Sequence, residues 1–196
     1  MAVRHRSCRA LRRLLPAALV LLLSGCAALE ALAALSQVRF DFDRISSVHL
    51  VGVNMMEVRE PSDLSALDAL RLGRAIRDRE APLQLVVDLA GENPEDNPEA
   101  RLTALDWTFF LEEQETVRGG LPSALSLPPG ERTIIPLTVE FDLVAFVDDS
   151  LRDVINLTAA LAGLTEDRPD VRLEAIPSVD TRAGPIQYPR PLVLRP

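Results

Sequence analysis

Lysine is missing from this chain: all 21 basic residues among the 196 are arginine. Aromatic residues are scarce at 4%, with one Trp, one Tyr and six Phe, so Leu, Val, Ile and Ala must build the core. Two His and two Cys leave almost nothing for the common metal sites or for nucleophilic catalysis. A basic surplus is lacking too, because 29 acidic residues bring the net charge to −8. Nucleic-acid binding needs a basic stripe to replace the counterions along phosphates, so the composition excludes that class. What is present is a hydrophobic content of 47%, which is globular rather than disordered. A chain of this length makes one domain of ordinary size or two very small ones.

The N-terminus carries an address. Arg4, Arg6, Arg9, Arg12 and Arg13 precede the apolar run Leu14 to Leu23, the order of charges and apolar residues found in an export leader. A run of about ten residues is too short to cross roughly 30 Å of hydrocarbon as a helix. It ends in Leu23-Ser24-Gly25-Cys26, which resembles the bacterial lipoprotein signal. The resemblance implies cleavage between Gly25 and Cys26 and lipid on Cys26 as the new N-terminal residue. Ala27 stands where that signal carries Asp for inner-membrane retention, so the outer membrane, on its periplasmic side, is the expected destination. The chain then divides into a leader at 1–25, a lipidated tether or first helical turn at 26–36, and one domain at 37–196. Loss of the leader removes five Arg and no acid, leaving 16 basic against 29 acidic side chains, about −13. Anionic headgroups repel such a body, so attachment falls to acyl chains, at about 0.8 kcal/mol for each buried methylene. Cys8 departs with the leader and Cys26 is acylated, so no disulfide can form and the core alone must hold the fold.

Beyond residue 36 the dominant pattern is alternation of period two, the mark of half-buried strands. Val38, Phe40 and Phe42 alternate with Arg39, Asp41 and Asp43, and a second apolar stretch covers Val48, Leu50, Val51 and Val53. Further runs are Leu83 to Leu89, Leu105 to Leu111, Ile135 to Leu143, Val171 to Ala175, Ile186 to Tyr188 and Leu192 to Leu194. Asn93-Pro94, Asn97-Pro98, Gly119-Gly120, Pro128-Pro129-Gly130 and Gly184-Pro185 read as turns between them. About seven or eight regularly spaced strands with one wet face predict an all-β antiparallel sandwich. Two helices interrupt it. Ser62 can cap one over 63–79, with a narrow face of Ala66, Ala69, Leu72 and Ile76 that suits a sheet edge. Ser150 and Asp153 form a capping box for another over 150–164, whose wider stripe runs through Leu151, Val154, Ile155, Leu161 and Ala162. It is expected to pack on the open end or an edge of the sandwich.

The order of these motifs is similar to that of the late-embryogenesis-abundant type 2 (LEA14-like, WHy) domain. A strand leads into Asn93-Pro94, followed by ALDWTFFLEEQETVRGGL with its double Gly, then by LPPGERTIIPLTVEFDL with Ile135-Pro136-Leu137. RLEAIPSVDTRAGPIQYPRPLVL closes the unit like a final hairpin, and the resemblance covers roughly residues 45–194. The doublet ENPEDNP and the helix at 63–79 depart from the family pattern. The resemblance implies a fibronectin-III-like sandwich, a link to desiccation and stress tolerance, and no catalytic residues.

Each candidate for chemistry has a plainer reading. His49 is the one His after the leader, lies on a strand and has no G-x-S-x-G to serve, so a sheet residue is expected rather than a catalytic base. Glu92, Glu95, Asp96 and Glu99 cluster around the Asn-Pro doublet, and Asp148, Asp149 and Asp153 at a helix start. Neither set has calcium-loop spacing, and acids at a helix start are favoured by its dipole alone. Asp41, Asp43, Asp106 and Glu140 sit on strands, where a glycosidase pair and the wet face of a sandwich look alike. Trp107 and Tyr188 are single residues, and Trp107 shares the apolar face of Phe109, which is core. The expected protein is therefore not an enzyme and has no cofactor or metal site. Its expected partners are the membrane, through its lipid anchor, and an envelope protein, with no nucleic acid. It would bind or shield envelope components under stress. The alternative is a carrier of lipid or hydrophobic peptide, with the 150–164 helix as lid.

Overall fold

A computed structural model describes residues 29–146, 150–166, 168–181 and 184–196. Gly25, Cys26, Asp148 and Asp149 lie outside them. Residues 29–37 are helical (α1). There follow β1 (Arg39–Leu50), β2 (Val53–Asn54), a 3-10 turn (Pro61–Asp63), α2 (Ala66–Asp78), β3 (Pro82–Glu92), β4 (Ala100–Leu102), β5 (Ala104–Leu111) and β6 (Gln114–Gly120). β7 (Leu125–Leu127), β8 (Arg132–Asp142), a second 3-10 turn (Leu143–Ala145), α3 (Leu151–Leu161), β9 (Val171–Thr181), β10 (Gly184–Gln187) and β11 (Leu192–Leu194) complete the order. One sheet runs β2-β1-β3-β8 and the other β10-β9-β5-β6, with β11 also on β9 and a small ribbon of β4 and β7. Every described pair is antiparallel. The expected antiparallel β-sandwich with added helices is the fold observed.

Alternation places the core. Leu83, Leu85, Val87 and Leu89 of β3 and Ile135, Leu137 and Val139 of β8 are buried, and so are Leu105, Trp107, Phe109 and Leu111 of β5 and Leu173 and Ala175 of β9. Side chains of this size contribute about 1.5–3 kcal/mol each when fully buried, and the described residues include no cysteine. Pro136 fits because β8 is an edge strand. Pro177 lies in β9 between the stretch paired with β11, which ends at Ala175, and the stretch paired with β10, which begins at Ser178. Its carbonyl accepts from Tyr188 N–H at 2.9 Å.

Several elements differ from the sequence reading. The two apolar stretches at 38–42 and 48–53 belong chiefly to one long strand, β1, whose register slips between Phe42 and Arg44 and again between Ile45 and Ser47. Each slip shifts the alternation, so one bent strand looks like two. Gly119-Gly120 is no turn: both residues lie in β6, opposite Trp107 and Asp106. A Cβ on Gly119 would overlap the Trp107 indole, so the glycine is a seat for the ring. The turn before β6 falls instead on Glu112 and Glu113, both at positive φ (51° and 62°). α2 starts later than expected, capped by Ser65, whose hydroxyl accepts from Asp68 N–H at 3.2 Å. Ser62 sits in the preceding 3-10 turn, where the Asp63 carboxylate accepts from the Arg59 and Glu60 N–H groups at 2.9 and 3.1 Å. Those two bonds hold the Asp63 carboxyl below its ordinary value. The buried face of α2 is Leu72, Ala75 and Ile76, while Leu67 and Leu70 point outward.

α3 matches its expected start, with the Ser150 hydroxyl accepting from Asp153 N–H at 3.1 Å. It packs on β1 and buries Val154, Ile155, Thr158, Ala159 and Leu161. Thr158 satisfies its hydroxyl within the helix by donating to the Val154 carbonyl at 2.9 Å. Gly119→Ala should lower stability by about 1–3 kcal/mol, the usual cost of overfilling a packed site. Chemical denaturation followed by Trp107 fluorescence measures it, and an unchanged midpoint would contradict the seat assigned to Gly119.

Candidate functional site

The residues that join the N-terminal segment to the sandwich are Asn93 and Asn97. Both are buried, at 3% and 2% exposure, and a buried amide must find partners. Asn93 Nδ2 donates to the Leu127 carbonyl at 2.7 Å and to the Pro98 carbonyl at 3.1 Å. Asn97 Nδ2 donates to Asn93 Oδ1 at 2.6 Å and to the Ala34 carbonyl of α1 at 2.8 Å. The Asn93 backbone joins as well, donating to the Glu131 carbonyl at 3.0 Å and accepting from Gly130 N–H at 2.9 Å. Ala34, Leu35 and Val38 are buried against this corner. Residues 29–36, expected as a tether or a first helical turn, are thus a helix docked on the domain.

A second feature lies beside the irregular part of β1. A cavity of about 250 Å³ opens there between the irregular part of β1 (Phe42, Asp43, Arg44, Ile45), the C-terminal end of α3 and Val171. α3 ends in a turn through Gly163 at φ +71°. Gly163 N–H reaches the Ala160 carbonyl at 3.1 Å, and Leu164 N–H the Ala159 carbonyl at 2.8 Å.

The other sequence candidates are dispersed. His49 Nδ1 and Ser47 Oγ share a hydrogen bond of 2.9 Å. Glu140 is in the same cross-strand row but two strands away through Gln84, about 9–10 Å at ordinary strand spacing. Glu92 pairs with Arg132 at 2.7 Å and Arg39 at 3.8 Å, Glu99 accepts from Ser126, and Glu95 lies over Gly130. Asp153 serves the start of α3. Among the described residues no group of three or more His, Cys, Asp or Glu could hold a metal ion. Asp43 pairs with Arg132 and Arg44, Asp106 accepts from Gln187 Nε2 at 3.2 Å on the other sheet, and Asp41 and Glu140 are exposed. Trp107 is buried beside Gly119, and its Nε1 has no partner among the described residues. Among the described residues no helix is long and apolar enough to cross a membrane.

The Asn93–Asn97 pair was missed as a site because N-P reads as a turn. Its one signal was the repetition at a four-residue interval.

No family model matches this chain, and no curated protein matches it. Among solved structures it is similar to a protein from Archaeoglobus fulgidus, 10% identical, over 59% of this chain and 82% of that one, with a TM-score of 0.36. It is also similar to a provisionally assigned late embryogenesis abundant (LEA) protein solved in solution. That protein is 14% identical over 94% of this chain and 83% of its own, with a TM-score of 0.40. Neither likeness bears on function.

Asn93→Ala removes the buried bonds to the Leu127 carbonyl and to Asn97 Nδ2 and should cost on the order of 3 kcal/mol. A urea midpoint equal to that of the unaltered protein would contradict the role of the amide pair. Partial burial pushes the Tyr188 phenol above its ordinary 10.0. The unfolded phenol ionises first, so stability from this group is complete below pH of about 10 and falls as the pH rises past it. Phenolate absorbance should titrate later in the folded protein than in urea, and coincident curves would refute the burial.

Proposed function

We propose that this chain is a non-enzymatic envelope protein, anchored by lipid on Cys26, whose acidic sandwich binds or shields envelope components under desiccation-type stress. The observation that carries the reading is the closeness of Cys26 to a docked helix. Two residues of chain, 27 and 28, lie between Cys26 and the first described helical position, Leu29, a span of at most about 11 Å when extended. A lipid on Cys26 would therefore keep the Asn93–Asn97 corner of the domain close to the bilayer surface. The body, at about −13 without the leader, has little attraction of its own for anionic lipid. The order of the LEA14-like motifs supports the stress role, and the pairing of Asp43, Glu92, Glu99 and Asp106 with separate partners supports a reading without a carboxylate pair at work.

Cells given an alkyne-tagged palmitate report the anchor directly. The unaltered protein should take up the tag and sediment with the outer membrane, whereas Cys26→Ser should lose the tag and leave the membrane fraction. An untagged unaltered protein, or a Cys26→Ser variant that still sediments, would overturn the anchoring. Deleting the gene should reduce survival after drying, and equal survival would overturn the protective role.

A further inference from the structure

We propose that the cavity between the β1 irregularities and the end of α3 binds a single alkyl chain carrying an anionic head group. The claim stands apart from lipidation of Cys26, since none of the residues that form the site belongs to the N-terminal segment. Its volume of about 250 Å³ exceeds the roughly 150 Å³ of an apolar cavity that takes up benzene. Phe42, Ile45, Leu161 and Val171 supply apolar walls from β1, α3 and β9, with Ala160 between them.

The polar groups at the rim identify the head. Asp43 is held by Arg132 and Arg44, and Arg44 also reaches Asp88 at 3.4 Å. Arg168 lines the same cavity, is exposed, and has no ion pair among the described residues. Among the described lining side chains it is the charge without an ion pair, Pro196 also lining the cavity, and a carboxylate is the group its fork of donors matches. The C-terminal end of α3 presents a partial negative charge there, tempered by the bonds from Gly163 and Leu164 to its last carbonyls. That charge keeps the head at Arg168 and away from the helix end. A peptide is the poorer occupant, because each of its amides needs a hydrogen-bond partner and the walls are apolar. Two acyl tails together exceed the volume available.

Photoactivatable analogues of decanoic acid, decanol and phosphatidylglycerol, each with a diazirine at the chain end, test this on membranes carrying the full-length protein. The acid should label the segments 42–45 and 160–171, and excess unlabelled decanoate should suppress the labelling. Ala160→Phe, checked for folding by circular dichroism, should abolish it by filling the cavity. Arg168→Glu should lower labelling by the acid about tenfold, the effect of one charge-assisted contact, and leave the alcohol unaffected. Labelling that maps elsewhere, or that excess decanoate does not suppress, would overturn the site. Equal labelling by acid and alcohol, unchanged in Arg168→Glu, would overturn the anionic head. Equal labelling by the two-tailed lipid would overturn the single chain.

Discussion

Two buried amides, Asn93 and Asn97, hold three distant parts of the chain in one corner. Through them α1 (Ala34), the end of β3 and the end of β7 (Leu127) become one hydrogen-bonded unit. The pair adds directed bonds to the burial of Ala34, Leu35 and Val38, and a short helix such as α1 cannot persist by itself in water. Buried donors are exacting partners: satisfied, they fix one geometry, and unsatisfied, each costs about 1–3 kcal/mol. Asn97 Oδ1 already lacks a partner among the described residues, so the corner has no slack on that side.

The functional reading grows from that corner. A domain locked to its own N-terminal helix moves with whatever is attached just before it, whereas a flexible leash would let it roam. The long strands β1, β3 and β8 carry the sandwich away from the corner, and α2 sits beyond their other end, between β2 and β3. On the first sheet Arg39, Arg44 and Arg132 meet Asp43, Asp88 and Glu92 in ion pairs. The exposed pairs among them contribute little to stability, while Asp88 is itself buried beneath Arg44. The apolar cavity beside α3 lies apart from the amide corner and borders the ion pairs through Asp43 and Arg44.

The parts legible in the sequence were those whose signal is local. β3, β5 and β8 declare themselves by alternation because one face is buried along their whole length. α3 does so by its cap and stripe. What stayed hidden depends on a partner far along the chain. β6 has Val117 as its lone large aliphatic residue and is mostly wet, so no period marks it, and the reason for Gly119 is the indole across the ladder. The bulges of β1 scramble its period. Nothing in Glu112-Glu113 announces a turn of positive φ, which ordinarily takes Asn or Gly. Asn93 and Asn97 were read as punctuation, for their burial depends on carbonyls 34 and 63 residues away. The cavity was visible only as the possibility of a helix used as a lid.

The central claim is that α1 is welded to the sandwich rather than strung from it. Hydrogen exchange on the full-length protein, read at the amides of 34–38 and 93–97, tests this most directly. Protection rising to that of β3 and β5 is expected. Exchange at the rate of an unstructured chain in 34–38, with β3 and β5 still protected, would contradict it.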